Sequence, residues 1–235
     1  MILYELFVNA SNGRYGLLNI LAFVVALLSA LVLHEIAHGL VALWNGDPTA
    51  KLYGRVSLNP IRHFDWVGLI LMILVGFGWA KPVPVNPNNF KNRKVGAITV
   101  SIAGVMTNFL LGFIAAMAFA LLLKVSPKTQ SGVYALYFFS ELSYLILQLN
   151  VSFALFNLLP LYPLDGYRLL SCFVNENNGA MMFLRRYSLY ILLGFIVLNS
   201  ISVLSFMSPL NWYLSKFGGI IRNGFYNFWR LIFNG

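Results

Sequence analysis

Side chains capable of acid, base or metal chemistry are scarce in this chain, which has 235 residues, only seven of them Asp or Glu, three His and one Cys. One acid stands between two of the histidines, in His34-Glu35-Ile36-Ala37-His38. On a helix, residues i and i+4 share a face, so both imidazoles can converge on one metal ion. Glu35 is adjacent to the first ligand but rotated off its axis. Its carboxylate can therefore hold a metal-bound water without becoming a principal ligand, the division of labour that hydrolysis requires. A zinc site needs at least one further protein ligand. His63 and Asp65 lie in a polar loop and read as ordinary surface residues. Asp165 is the better candidate, in Asn157-Leu-Leu-Pro160-Leu-Tyr-Pro163-Leu-Asp165-Gly166. Two prolines interrupt an apolar segment there and free backbone carbonyls, and broken helix at membrane depth is tolerated where it lines a protein cavity. Gly166 permits close backbone approach. The bland alternatives are a hydrogen-bonded histidine pair with a snorkelling glutamate, and an Asp165 that merely caps the following helix.

The elements that must position these residues follow from composition. Hydrophobic residues make up 59% of the chain and charged ones 10%, with 16% aromatic, and the mean hydropathy is +0.75. Soluble domains carry roughly 25% charge, and disordered chains lack aromatics, so an α-helical polytopic membrane protein is what remains. Two histidines and a carboxylate inside an apolar run are expensive in hydrocarbon unless they face a polar cavity or bind a cation. The lone Cys172 excludes a disulfide framework and multi-cysteine metal sites; its apolar surroundings indicate packing. The net charge of +9 is carried in short loops between apolar runs. Phospholipid headgroups, not nucleic acid, are the expected partner.

Four apolar runs are long enough to cross a bilayer: residues 17–44, 95–123, 142–159 and 187–206. The first is not expected to be a cleaved leader, since no small-residue site closes it. Residues 67–80 would cover only ~21 Å as a helix and read as a re-entrant element. Residues 51–59 and 81–86 have strand-like composition, with prolines that confine them to edges, and suggest a short β-hairpin at the membrane. Over residues 210–235 a polar stripe of Lys216, Asn223, Asn227, Arg230 and Asn234 opposes an apolar face. It reads as an interfacial amphipathic helix, with a helix packed on the bundle as the alternative. No internal repeat is visible, and the whole of 1–235 reads as one membrane-embedded domain with its core in 17–166.

Taken together, these residues resemble the site-2 protease family of intramembrane zinc metalloproteases. The family's H-E-x-x-H appears as His34, Glu35 and His38. Its N-x-x-P-x-x-P-x-D-G type motif appears as Asn157, Pro160, Pro163, Asp165 and Gly166. Residues 76–86 look like its segment between the first two core spans, and Gly104-Val-Met-Thr-Asn108 looks like its G-x-x-x-N pattern. The resemblance implies one zinc ion per chain bound by His34, His38 and Asp165, with Glu35 as catalytic base. It also implies hydrolysis of peptide bonds in transmembrane protein substrates. No PDZ or CBS regulatory region is recognisable, which leaves room for a separate regulatory protein.

For a shared site, the end of the first span and the Asp165 loop must lie on one side, which requires 67–80 to re-enter. Ten of the 16 Lys and Arg then fall on that side, which marks it as cytoplasmic. The zinc would lie ~10 to 15 Å below that interface. The expected location is the plasma membrane of a prokaryote. Asn157, and after it Asn108, are candidate oxyanion donors, because amides donate without carrying charge into the bilayer; interhelical hydrogen bonding is their alternative role. A helical substrate must unwind before water can attack it, and an extended segment could pair with an edge strand near 51–58 or 81–86. The competing classes are a metal-binding transporter and a catalytically silent protein that holds transmembrane helices.

Overall fold

A computed structural model describes residues 15–68, 70, 78–175, 177–200 and 208–234. Four long apolar helices carry the fold: α1 (Gly16–Trp44), α3 (Arg93–Leu122), α4 (Gln130–Asn157) and α6 (Gly179–Ser200). Each is long and apolar enough to cross a membrane, which makes this a multi-pass integral membrane protein. Between them lie the one-turn helix α2 (Thr49–Leu52) and the short α5 (Asp165–Ser171), and α7 (Pro209–Asn234) closes the chain. Local chemistry sets several ends. Asn92 accepts from Val95 N to start α3, and Thr129 accepts from Gly132 N to start α4. Pro160 and Pro163, which lack an N–H, follow the end of α4 and prevent its continuation.

Helices α1, α3 and α4 pack against one another through small side chains. Ala22 and Ala26 of α1 meet Leu145 of α4. Ala115 and Ala116 of α3 face Leu147 and Val151 of α4. Lipid tails are as apolar as these side chains, so close van der Waals fit, not burial from water, holds such a bundle. Large side chains such as Leu17, Leu21, Leu110 and Ile114 point outward, where a bilayer would receive them.

The expected β-hairpin does not form: among the described residues there is no sheet, only an isolated antiparallel bridge between Phe64 and Ala80. Residues 51–52 are helical, and 81–86 form neither helix nor strand. The backbone groups of 81–86 are engaged by side chains. Val83 N donates to Glu35 Oε2, Asn86 N donates to Asp47 Oδ2, and the carbonyls of Lys81 and Pro82 accept from the Arg55 guanidinium. Pro82 and Pro84 have no N–H to offer. The pairing of Phe64 with Ala80 returns the chain to the end of the bundle from which it left. Residues 69 and 71–77, the heart of the expected re-entrant element, lie outside the described residues, as do 201–207 at the end of the fourth expected span.

Helix α7 is packed along the bundle, the second of the two readings of its polar and apolar stripes, and does not lie apart in the interfacial plane. Tyr213 O–H donates to Leu155 O near the end of α4, and Trp229 Nε1 donates to Phe113 O of α3 at 3.0 Å. Beyond the end of α3, Lys124 Nζ donates to Phe233 O. Its apolar face, with Ile221, Phe225 and Trp229, covers the α3–α4 seam. The stripe pattern alone is equally compatible with a lipid surface and with this seam.

Candidate metal centre

One turn of α1 presents His34 and His38, both buried, to the space between α3 and the start of α5. Their Nε2 atoms lie 3.0 Å apart. Asp165 Oδ2 is 3.1 Å from His34 Nε2 and 3.0 Å from His38 Nε2. These residues form the group of potential metal ligands among the described residues. His63 and Asp65 are elsewhere: His63 is buried against Ser57 O, and Asp65 accepts from Val67 N and Gly68 N. Asp165 does not cap α5, because its carboxylate turns to the histidines and the N-cap position is Leu164.

The far side of each imidazole determines what the near side can do. His38 Nδ1 lies 2.7 Å from Val100 O, a pure acceptor, so it carries the hydrogen. His34 Nδ1 lies 3.0 Å from Asn108 Oδ1, and Asn108 Nδ2 donates to Ala30 O, which orients the amide with its oxygen toward His34. In the neutral rings both Nε2 atoms are therefore lone pairs. They face each other and a carboxylate oxygen that has no hydrogen-bond partner. A single cation can satisfy all three donors, whereas a proton can satisfy only one pair. The edge of a tetrahedron with ~2.0–2.1 Å bonds is about 3.3 Å, close to the separations found, so this donor set fits zinc.

Two glycines make the assembly possible. A Cβ on Gly104 would lie 2.4 Å from His34 Cε1 and 2.6 Å from both ring nitrogens. The α3 backbone thus forms a wall of the imidazole pocket, and Asn108, one turn on, supplies the acceptor. A Cβ on Gly166 would lie 2.3 Å from Leu158 O, so α5 can start against the end of α4 only with glycine there.

A cleft of about 90 Å³ opens on His34, His38 and Asp165, with Glu35, Asn157 and Arg168 in its lining. It has room for water and a peptide group, not for a helix about 10–12 Å across. Pro82 and Val83 also line it. Val83 N reaches Glu35 Oε2 at 2.9 Å. Asn157 donates one amide hydrogen to Phe153 O at 3.0 Å. Asn108 is buried behind His34 and does not line the cleft.

Three positions that matter here were invisible as site residues in the sequence. Asp47, at 0% exposure, accepts from Thr49 N, Asn86 N and Asn89 Nδ2. Arg55, also buried, donates to the carbonyls of Arg62, Lys81 and Pro82. Together they press the 81–90 loop onto α1 beside Glu35. Arg168 is the third. A local signal existed only for Asp47, whose Asp-Pro-Thr context suits a side-chain-capped turn. The partly buried Cys172 thiol is pushed up by burial, against a smaller opposing effect of Lys94.

A helical membrane bundle with two histidines of one turn, an aspartate from a broken segment and a glutamate over a small cleft defines the metallopeptidase class. The chain belongs to peptidase family M50, whose model matches residues 22–201. It is 42% identical over 163 residues, 68% of this chain and 72% of the relative, to the Bacillus subtilis (strain 168) protein named "Putative zinc metalloprotease YwhC". No solved structure gives a significant match.

Proposed function

We propose that this chain is a zinc metalloendopeptidase of the site-2 protease type, acting within the membrane on transmembrane protein substrates. The observation that carries this reading is the meeting of two Nε2 lone pairs and an otherwise unpartnered carboxylate oxygen about 3 Å apart, beside a glutamate in the same cleft. His34, His38 and Asp165 would hold one zinc ion per chain. When bound, zinc lowers the pKa of water toward ~7 and polarises the scissile carbonyl.

The protein's own residues supply the rest. Glu35, on the cleft wall, accepts the proton of the attacking water and returns it to the leaving amine. Its Oε2 is anchored by Val83 N, which leaves Oε1 for the water. Asn108 positions His34 through Nδ1 and does not face the reacting carbonyl. Asn157 keeps one amide hydrogen available toward the cleft and remains an oxyanion donor. The small cleft supports unwinding of the substrate before cleavage. Val83 and Pro82 border that path, so an extended substrate segment would run along 81–86 without needing a preformed strand.

The same reading places the protein in a prokaryotic plasma membrane, as one domain over 1–235 with the site toward the cytoplasm. A separate regulatory protein is compatible with it. Glu35→Gln is the test. The purified variant should retain near-normal zinc while losing cleavage of a transmembrane reporter. Purified protein without zinc, or a variant that cleaves as well as wild type, would sink the reading.

A further inference from the structure

Arg168 occupies an unusual place. It lies three residues after Asp165 on α5, so the two share a helix face with Cβ atoms about 5–6 Å apart. Asp165 is buried and Arg168 exposed, yet both line the same cleft as His34, Glu35 and His38. Among the described residues the Arg168 guanidinium has no ion-pair or hydrogen-bond partner; the bonds of Ser171 Oγ and Cys172 Sγ at this residue go to its backbone carbonyl. Arg55 differs, with its guanidinium committed to loop carbonyls. Arg168 is the cationic side chain in the cleft lining.

The charges explain what an uncommitted guanidinium does there. Glu35 and Asp165 bring two negative charges, which one divalent cation balances. Hydrolysis then concentrates a further negative charge on the scissile carbonyl oxygen, as the water oxygen bonds to the carbonyl carbon and the C=O pair moves onto oxygen. The amides cannot meet it alone: Asn108 is committed to His34 and Ala30, and Asn157, with one hydrogen engaged by Phe153 O, has a single one left to give. An arginine stays charged at any working pH and offers two parallel donors.

We propose that Arg168 is a catalytic residue that donates to the scissile carbonyl oxygen as it becomes an oxyanion, a role that rests on the hydrolase reading above. Arg168 transfers no proton. Collapse breaks the C–N bond, the amine leaves with the proton relayed by Glu35, and the product carboxylate inherits the contact. Donors of this kind act on the transition state more than on the bound peptide, and removing one lowers kcat by about 10²–10³.

The test uses the full-length, zinc-loaded protein in detergent and two peptides of one Ala/Leu sequence. One is an amide; in the other a phosphinate, a tetrahedral anion, replaces the scissile amide. Arg168→Gln should weaken phosphinic-peptide binding about 100-fold, while amide-peptide binding, measured in the Glu35→Gln background, changes by less than about threefold. Arg168→Lys, which keeps the charge, should recover most of the loss, and zinc content should match wild type throughout. Phosphinic binding unchanged in Arg168→Gln, equal losses for both peptides, or no recovery with lysine would each overturn the proposal. If Arg168→Gln loses zinc through misfolding, the lysine variant decides: its ratio of phosphinic to amide binding must stay within about tenfold of wild type. Failure of the underlying reading looks different, since wild-type protein would then bind the phosphinic peptide no better with zinc than without.

Discussion

Gly104→Ala isolates the contact between α3 and His34, a candidate metal ligand. The added Cβ would lie 2.4 Å from His34 Cε1 and 2.6 Å from both ring nitrogens, whereas carbon atoms rest about 3.5 Å apart. The ring or the helix must therefore give by about 1 Å. The ring has little freedom, being held by Asn108 Oδ1 on one side, Phe153 edge-on at 5.2 Å, and the His38–Asp165 pair on the other. Displacing α3 instead would disturb Val100 O, the acceptor for His38. Overpacking of this kind costs about 1–3 kcal/mol, and a 1 Å error at a reacting centre costs about 10² in rate. The expected result is a fall of about 10–100-fold in zinc affinity, measured by competition with a chelator, with at least a tenfold loss of reporter cleavage. Gly194→Ala is the control, since nothing lies within 4 Å of its added Cβ; zinc affinity should not change. A Gly104→Ala protein that binds zinc and cleaves like wild type would refute the argument that this glycine exists to admit the imidazole.

Other perturbations test the surrounding supports. Asn108→Leu removes the acceptor of His34 Nδ1 and should lower zinc affinity about 10–100-fold, whereas Asn108→Asp keeps an oxygen there and should lose less; the chelator titration reads both. Arg55→Met leaves the carbonyls of Lys81 and Pro82 without their donor, so hydrogen exchange at Val83 should rise well above wild type while the α3–α4 seam stays protected; unchanged exchange at Val83 would show that the clamp is dispensable. At Asp47, burial raises the carboxyl, but hydrogen bonds from Thr49, Asn86 and Asn89 outweigh it and leave it below the usual carboxylate range. A depressed folded pKa means that the stabilisation is complete above the unfolded value of ~3.9 and lost as pH falls through the lower folded value. The difference in thermal stability in detergent between wild type and Asp47→Asn should be constant above about pH 5 and shrink below pH 4. A gap that does not narrow at all as the pH falls from 5 to 3 would contradict the assignment.

The candidate ligand set, whose members the fold brings together, was legible in the sequence because each piece has a local rule. A helix places His34 and His38 on one face whatever surrounds it, and the prolines at 160 and 163 force a break just before Asp165. The four apolar spans follow from length and hydropathy for the same reason. Local rules failed where the partner lay far along the chain. Residues 81–86 carry a strand's composition, but Arg55, Glu35 and Asp47 take up their backbone groups, and no propensity encodes a guanidinium 26 residues away. The stripes of α7 specify an apolar face without saying whether lipid or the α3–α4 seam covers it; Tyr213 and Trp229 made that choice by reaching backbone carbonyls. Asn108 shows the division most clearly. Its type suggested a donor to substrate, but an amide offers both an acceptor and a donor, and only the packing of α3 against α1 turned its oxygen to His34. The sequence by itself determined which groups could bind a metal and activate water, since those properties belong to residue types and helical spacing. The tertiary structure alone decided their protonation, their supports and the cation left uncommitted beside them, because these depend on which backbone and side-chain atoms come within 3 Å across the bundle.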